Sequence, residues 1–600
     1  MDSEFLEDDS DNIAEIKAAH DRAVNEFYKS DLKKCDQFKK ALSSLTGLND
    51  TQPIQNVEIS SIELCPLYYN YAVVLYHQKK LNSALKIMNA ILHHAQVDNM
   101  SNKFLEKAGL LTVCILLDTN QAKKADNLLE TLQNRLNLNN DDILMVEEDV
   151  LESEQKKQEE LDEDQETFRR QFRLALIRSK LNSGKLNAVV VPQDETSSYA
   201  ILKAHQFYLL NDFQMSAKEL SKPFKNEPIT LQNYGEEQNV CVANNMGLIH
   251  FNVKHYSLAV RFFQQALQFD HKALENVRKE NNNQLPLHCL GATRRSEILY
   301  NLGIALLYLQ RPKDAFDCLL VPLNVYHKNP RLWLRVAESC IMVHRQHLKE
   351  QESQNKNIVS SVIGSGMHRK YIITPSQQKY TPDEIQSSSS AIPSPNLEFA
   401  SLCLRNALTL VEHCRQLLTT VDEEVTCNPS KPLTKTSIEK LQLHILTASS
   451  YVALCLGDYT LALYHARELL KIENLPDTHK MMGFLYAAES CIMLDRVPEA
   501  IAYLDPKILM ELKSTDFETV SSPDWNINTL EAVNAVYTYN LAVSLAIYGD
   551  YELAKTRIVL CRHHPVVAVQ TKMLELYLEM QSGNIENCKK KIAIDTPQYF

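Results

Sequence analysis

The residues in this chain with chemistry to offer are those that bind anions. In "GSGMHRK" (364–370), Gly364 and Gly366 let backbone N–H groups turn inward around an anion, and His368, Arg369 and Lys370 add positive charge beside them. The plainer reading is a flexible turn followed by a basic segment that docks on the chain itself or on a partner. A second set, Asn301, Arg331 and Arg335, falls at helical phases suited to a terminal carboxylate held by charge-assisted hydrogen bonds. Both arginines are equally at home as ordinary surface residues. No catalytic constellation accompanies either set. The sequence lacks G-x-x-x-x-G-K-[ST], H-E-x-x-H, G-x-S-x-G and the dinucleotide-binding glycine series, and no carboxylate pair stands apart from solvated helix faces. No catalytic, cofactor-binding or metal-ligating residue is therefore assigned, and the expectation is a binding protein with no small-molecule substrate.

The elements that must carry these residues are helical. Only 13 glycines and 21 prolines occur in 600 residues, and long stretches rich in Leu, Ala, Lys, Glu and Gln place apolar residues at steps of three and four. "LNAVVVP" (186–192) is the best strand candidate. No apolar run is long enough to span a bilayer, and the acidic N-terminus has neither the basic flank nor the apolar centre of a signal peptide, so membrane insertion and export are not expected. The 14 cysteines form no C-x-x-C pair, and those at Cys318, Cys455 and Cys491 sit in apolar helix patterns. They read as buried, reduced small hydrophobes of an intracellular protein. Net charge is −12, but 13 acidic residues lie within 141–166 and seven within 1–15, which leaves the rest of the chain with a positive balance. The acidic runs read as solvated tails or linkers, and the folded body alone does not exclude contact with RNA.

A repeat organises the helices. In "NNMGLIHFNVKHYSLAVRFFQQAL", Gly247 on one helix is followed by Tyr256, Ala259, Phe263, Ala266 and Leu267 on the next. This small, aromatic, small, large, small series is that of a tetratricopeptide (TPR) hairpin, in which antiparallel helices approach closely only where small residues face each other. The phase recurs at Ala72 and Ala84, at Gly303 and Ala315, at Gly457 and Ala462, at Ala488 and Ala500, and at Gly549 and Ala554. Weaker copies lie near Ala125, near Phe213, and at Gly583 with Cys588. The fold expected is all-α, a TPR-type solenoid wound as a right-handed superhelix with long loop insertions.

The period of about 34 residues carries Gly303 to Ala337 in "NPRLWLRVAESC", the first helix of another hairpin with no partner directly after it. The fitting pattern arrives only in "LEFASLCLRNALTL", with Ala400, Leu404 and Ala407. One hairpin is thus expected to be split by an insertion over 347–395, with its second helix at 396–411. The remaining boundaries expected are an acidic disordered tail at 1–12, hairpins over 13–136, an acidic linker or helix at 137–170, and central repeats over 171–346 interrupted by an insertion at 272–293. A loop at 412–436, repeats over 437–592 with an insertion at 505–530, and a tail at 593–600 complete the chain. The insertions are expected to project from the solenoid.

"NPRLWLRVAESC", "GSGMHRK", and "SSAIP" leading into "LEFASLCLRNALTL" together resemble the family of TPR-repeat subunits, the tenth, of the CCR-NOT complex, the major eukaryotic mRNA deadenylase. The resemblance runs from about residue 13 to 590 through "LYYNYAVVLYH", "YNLGIALLYLQRPKDAFDCL" and "YVALCLGDYTLAL". The extreme N-terminus, the acidic 141–166 stretch and the middle insertions depart from it, and relative to it the chain stops early at Phe600. It implies a non-catalytic subunit that pairs with the eleventh subunit and docks on the N-terminal helical-repeat region of the large scaffold subunit. The nucleases would be other subunits, and a part in poly(A) shortening, translational repression and mRNA decay, in cytoplasm and nucleus, would follow from membership. Two alternatives stand beside it. TPR co-chaperones clamp acidic peptide tails, and Asn301, Arg331 and Arg335 match three of that clamp's five positions. The basic body and the His368–Lys370 stretch would suit an accessory RNA contact.

Overall fold

The helix pairs turn by a recurring local device. Gly457 (φ 79°) and Gly549 (φ 99°) end one helix in the left-handed conformation that glycine adopts without steric cost. Asp458 and Asp550 follow at once, and each accepts a hydrogen bond at 3.1 Å from the backbone N–H of Leu461 or Leu553, capping the next helix. At other turns Lys79, Asn120, Asn211, Lys254, Gln310 and Asp495 take the positive φ instead.

The structure, a computed structural model, describes residues 4–29, 35–48, 57, 59, 61–97, 101–136, 163–186, 197–222, 230–280, 285–355, 359–363, 370–373, 393–418, 424–510 and 529–595. These fall into two compact units.

The first unit comprises Met1–Tyr326 with Thr426–Pro432. Its helices are α1 (Glu4–Lys29), α2 (Cys35–Thr46), α3 (Cys65–His77), α4 (Leu81–Val97), α5 (Asn102–Asp118), α6 (Ala122–Arg135), α7 (Glu163–Asn182), α8 (Ser197–Leu209) and α9 (Phe213–Leu220). They continue with α10 (Leu231–Tyr234), α11 (Gln238–Asn252), α12 (Tyr256–Glu280), α13 (Arg295–Tyr308) and α14 (Pro312–Val325). Helices α3 and α4, α5 and α6, α8 and α9, α11 and α12, and α13 and α14 pack as successive pairs. The small positions lie where helices touch: Ala72, Ala84, Ala259 and Ala315 have no exposed surface, and Gly247 and Gly303 are buried. A methyl group on Gly247 would stand 2.6 Å from the Phe263 ring, and one on Gly303 2.6 Å from Leu319 Cγ. Gly109 makes the same approach to Leu132, a close contact the sequence reading missed.

Three boundaries differ from expectation in this unit. Helix α1 starts at Glu4, inside the segment expected to be a disordered tail, and α7, which starts at Glu163 within the segment expected to be an acidic linker or helix, runs across the expected boundary at 170. Residues 137–162 and the strand candidate beyond 186 lie outside the described residues. The insertion expected at 272–293 does not begin at 272, and its described residues from 285 on pack against the unit. Helix α12 runs on to Glu280, and after it Cys289 is fully enclosed with Leu231 and Val277 in a small core of its own. The amphipathic continuation of α12 supplies the reason, since Ala273, Leu274 and Val277 extend its apolar face over the following turn.

The second unit comprises His327–Val425 and Leu433–Phe600. It contains α15 (Pro330–Asn355), strands β1 (Val359–Ile363) and β2 (Lys370–Ile373), α16 (Leu397–Leu418), α17 (Lys435–Leu456), α18 (Tyr459–Leu470), α19 (Asp477–Met493), α20 (Val497–Tyr503) and α21 (Pro506–Met510). Then follow α22 (Leu530–Tyr548), α23 (Tyr551–Cys561), α24 (Ala568–Gln581) and α25 (Ile585–Asp595). Helix α15 pairs with α16, and Ala337, Cys340, Ala400, Cys403 and Ala407 between them have no exposed surface. The hairpin interrupted in sequence is therefore closed in space. Ala462, Ala500 and Ala554 are likewise fully buried.

Helix α15 extends through Asn355, past the expected 347 boundary, and α16 through Leu418, past 411. Both extensions consist of residues with good helix propensity and few β-branched side chains. Inside the insertion β1 and β2 pair antiparallel, with Val362 opposite Tyr371 and Ile363 opposite Lys370. This two-stranded ribbon, built from β-branched and aromatic residues, departs from the otherwise all-α organisation. Of the insertion expected at 505–530, residues 506–510 are helical and 511–528 lie outside the described residues. Among the described residues four cysteines depart from the expected burial: Cys455, in the last turn of α17, is exposed and Cys114, Cys241 and Cys318 are half-buried, whereas Cys491 is buried.

Candidate functional site

The predicted anion-binding residues do not assemble into a described clamp. His368 and Arg369 lie outside the described residues, and Lys370 opens β2 with its backbone opposite Ile363. Asn301, on α13, donates its amide to Asn244 Oδ1 at 3.0 Å, so its donor is engaged by the neighbouring repeat. Arg331 and Arg335 belong to the second unit, one turn apart on α15. The N–H groups of Arg331 and Leu332 donate to Asn329 Oδ1, which caps that helix, and Arg335 pairs with Glu338 on its own helix.

The first unit instead concentrates charge where the ends of several repeats converge. Asp118, at the end of α5, accepts from the Tyr76 hydroxyl at 2.9 Å and pairs with Arg178 of α7 at 3.1 Å. Arg294, just before α13, lies 3.5 Å from Glu236, and its backbone N–H donates to Asp270 Oδ1 at 3.1 Å. Thr293 donates to the other oxygen of Asp270 at 2.8 Å. Tyr326 closes the set by donating to Glu297 at 2.7 Å.

Electrostatics tie these pairs into one cluster. Burial alone would raise the Asp118 carboxyl, but Arg178, Arg294, the Tyr76 hydrogen bond and Lys79 together hold it below its usual value. Burial would also lower the Arg294 guanidinium, and Asp118, Glu297 and Glu236 outweigh it and push it up. Lys79 is pulled down by burial and by Arg294. Burial, then His288 and Lys79, depresses the His77 imidazole to about 4. The Arg294 side chain stays 37% accessible, and with Glu236, Asp270 and Ala292 it lines a shallow groove. With Asp118, Glu236, Asp270 and Glu297 set against Lys79, Arg178 and Arg294, the carboxylates outnumber the cations by one. The groove offers no unmatched charge to an anion.

The contacts of the groove run between separate repeats of the unit. The 285–294 segment lies directly on the end of α3, so close that a methyl on Gly291 would stand 2.0 Å from the His77 carbonyl oxygen. On its other side the His288 ring bonds to the Gln232 carbonyl oxygen at 2.8 Å. Sequence reasoning missed this clasp, because each charged residue looks like an ordinary solvated helix position. Among the described residues no group of His, Cys, Asp and Glu could hold a metal ion, and no helix is long and apolar enough to cross a membrane.

Antiparallel helix pairs stacked through small residues, with charged helix ends binding neighbouring pairs, define a TPR-type helical-repeat protein. A family model described as the CNOT10 tetratricopeptide repeat domain matches residues 440–586. The chain is 34% identical to CCR4-NOT transcription complex subunit 10 of Drosophila melanogaster, over 94% of this chain and 90% of that protein. It is 28% identical to subunit 10-B of Xenopus laevis, over 96% of this chain and 86% of that protein. Among solved structures, the apo form of the quorum sensor NprR from B. thuringiensis is similar at 11% identity and a TM-score of 0.33, covering 81% of this chain and 97% of that one. The chain belongs to the family of CCR4-NOT transcription complex subunit 10.

Proposed function

We propose that this chain is a non-catalytic scaffold subunit of the CCR4-NOT complex that binds the eleventh subunit and the N-terminal region of the large scaffold subunit. Through them it contributes to mRNA deadenylation, mRNA decay and translational repression, in the cytoplasm and also in the nucleus. The observation that carries this reading is the 34% identity with the Drosophila subunit over 94% of the chain. The helical architecture agrees with it, since stacked repeats spend one face on their neighbours and leave extended surfaces for partners. RNA contact within the assembly is a secondary reading. The peptide-clamp alternative has less support, because the Asn301 donor and the Arg335 guanidinium already have partners within their own units.

Coexpression tests the reading directly. The full chain should co-purify with the eleventh subunit and with the N-terminal region of the large subunit, and alone it should not shorten a poly(A) substrate. A folded chain that binds neither partner would refute the assignment.

A further inference from the structure

Three consecutive helix pairs inside the second unit, α17 with α18, α19 with α20 and α22 with α23, turn in register. Gly457, Asp495 and Gly549 take the positive φ at matching places in the three turns. The first helices of the first two pairs run parallel and level, with His444 against His479 at 5.1 Å and Tyr451 against Tyr486 at 6.4 Å between ring centres. Helix α22 packs on α20, and Leu463, Cys491 and Leu545 place all three pairs around one core. The last turn of each first helix nevertheless carries apolar side chains in water: Leu456 on α17, Met493 on α19, and Ile547 with Tyr548 on α22, exposed by 39, 52, 52 and 61%. A single exposed apolar residue needs no partner. A set that recurs pair after pair beside polar turns is the pattern of an interaction surface.

We propose that this edge is a docking surface for an amphipathic helix of a partner protein whose polar flanks are basic. Spacing selects the helix. Neighbouring helices pack about 8 to 10 Å apart, and a helix rising about 1.5 Å per residue returns a side chain to the same face every seven residues, about 10.5 Å along. An extended strand covers that distance in about three residues, which point to opposite faces. Charge selects the flanks. Exposed Asp458, Asp495 and Asp550 stand one at each turn, and Glu489 lies one helical turn before Met493. Against these four carboxylates stand two guanidinium groups, Arg496 at the middle turn and Arg345 of α15, which lies near Tyr451 and Tyr486. Glu552 is paired with Lys555 at 3.3 Å and Glu499 with Arg467 at 3.1 Å, and Lys349 and Glu350 on α15 offset each other. The edge is therefore acidic. A second copy of this chain is a poor occupant, because symmetric pairing would set these carboxylates against their own counterparts. The inference does not depend on the partners proposed above.

The test uses the full chain and a fluorescent synthetic helix of about 20 residues, with leucines in a heptad stripe and lysines on both flanks. Anisotropy should report saturable binding that weakens about tenfold or more in Met493→Asn/Tyr548→Asn, a variant that adds no charge. Both positions are exposed, so its circular dichroism should stay that of the wild type. The charge-reversed variant Glu489→Lys/Asp495→Lys should lose the lysine-flanked helix and gain a glutamate-flanked one. Lysine suits position 495, since Lys79 and Lys254 hold the same positive-φ place in other turns of the chain. Absence of saturable binding, equal binding of both peptides to the wild type, or no loss in the asparagine variant would overturn the proposal. So would equal binding of a peptide whose helix is broken by prolines, or sedimentation showing self-association that the asparagine variant abolishes. Binding that emerges only in Arg369→Glu/Lys370→Glu would overturn it as well, by giving the edge to a basic segment of the chain itself.

Discussion

Replacing Gly291 by alanine tests whether the 285–294 segment is a clasp. The added methyl would sit 2.0 Å from the His77 carbonyl oxygen, 3.0 Å from its carbon and 3.1 Å from Lys79 Cγ. Relief therefore requires backbone to move by more than an ångström, and there are two routes. If both segments deform in place, the overpacking costs about 3 kcal/mol. If the segment lifts away, it loses the enclosure of Cys289, worth about 1 kcal/mol. It also loses the Thr293 and Arg294 hydrogen bonds to the Asp270 carboxylate, each worth about 1.5 to 3 kcal/mol. The cheaper route sets the outcome, so a local loss of about 3 kcal/mol is expected. Hydrogen exchange read by mass spectrometry on the full chain should show amides around Cys289 and Ile298 exchanging roughly a hundredfold faster. Gly184→Ala is the control: its φ is +85° with nothing within 4 Å, so it should cost only about 1 kcal/mol of left-handed strain. Unchanged protection in Gly291→Ala, or an equal loss in the control, would refute the clasp.

Three further outcomes follow from the same geometry. Asp118→Asn removes the partner shared by Arg178, Arg294 and Tyr76, and should destabilise the first unit by about 1 to 3 kcal/mol, discounted for the accessible guanidinium groups; denaturant unfolding measures it. His77 and His479, in separate units, are each depressed to about 4 by burial and by a neighbouring His, so folding favours their neutral forms. Their contribution is fully present above about pH 6.5 and declines toward pH 4, by at most about 1.4 kcal/mol per pH unit for each group; His77→Gln and His479→Gln should each flatten the measured pH slope. Gly247→Ala should cost about 1 to 3 kcal/mol by pressing on the Phe263 ring, and Phe263→Leu in that background should cost less than it does alone, a coupling that a double-mutant cycle reads in chemical denaturation.

How much of this was legible in the sequence depends on whether the physical cause is local. The small residue at one helix and its large neighbour on the next recur at a fixed interval, so Gly303 leads to Ala337 and the apolar pattern leads on to Ala400 across a long insertion. Helix ends were harder to read. Lys272–Glu280 continues the apolar face of α12 through Ala273, Leu274 and Val277, and the polar Lys349–Asn355 continues α15 on helix-forming residues alone. The clasp was invisible for a different reason: Gly291 touches His77, far away in sequence, and nothing in its own surroundings demands a glycine. The same holds for Asp118 and Arg294, whose pairing depends on how separate repeats converge. Helix α24 shows the limit most clearly. Val569, Met573 and Met580 carry the same periodicity as the buried faces of interior repeats, so pattern alone reads them as core. Which face of a helix is covered is set by its neighbours in space rather than by its own periodicity, and on α24 these side chains are exposed while Leu574 and Leu578 are buried.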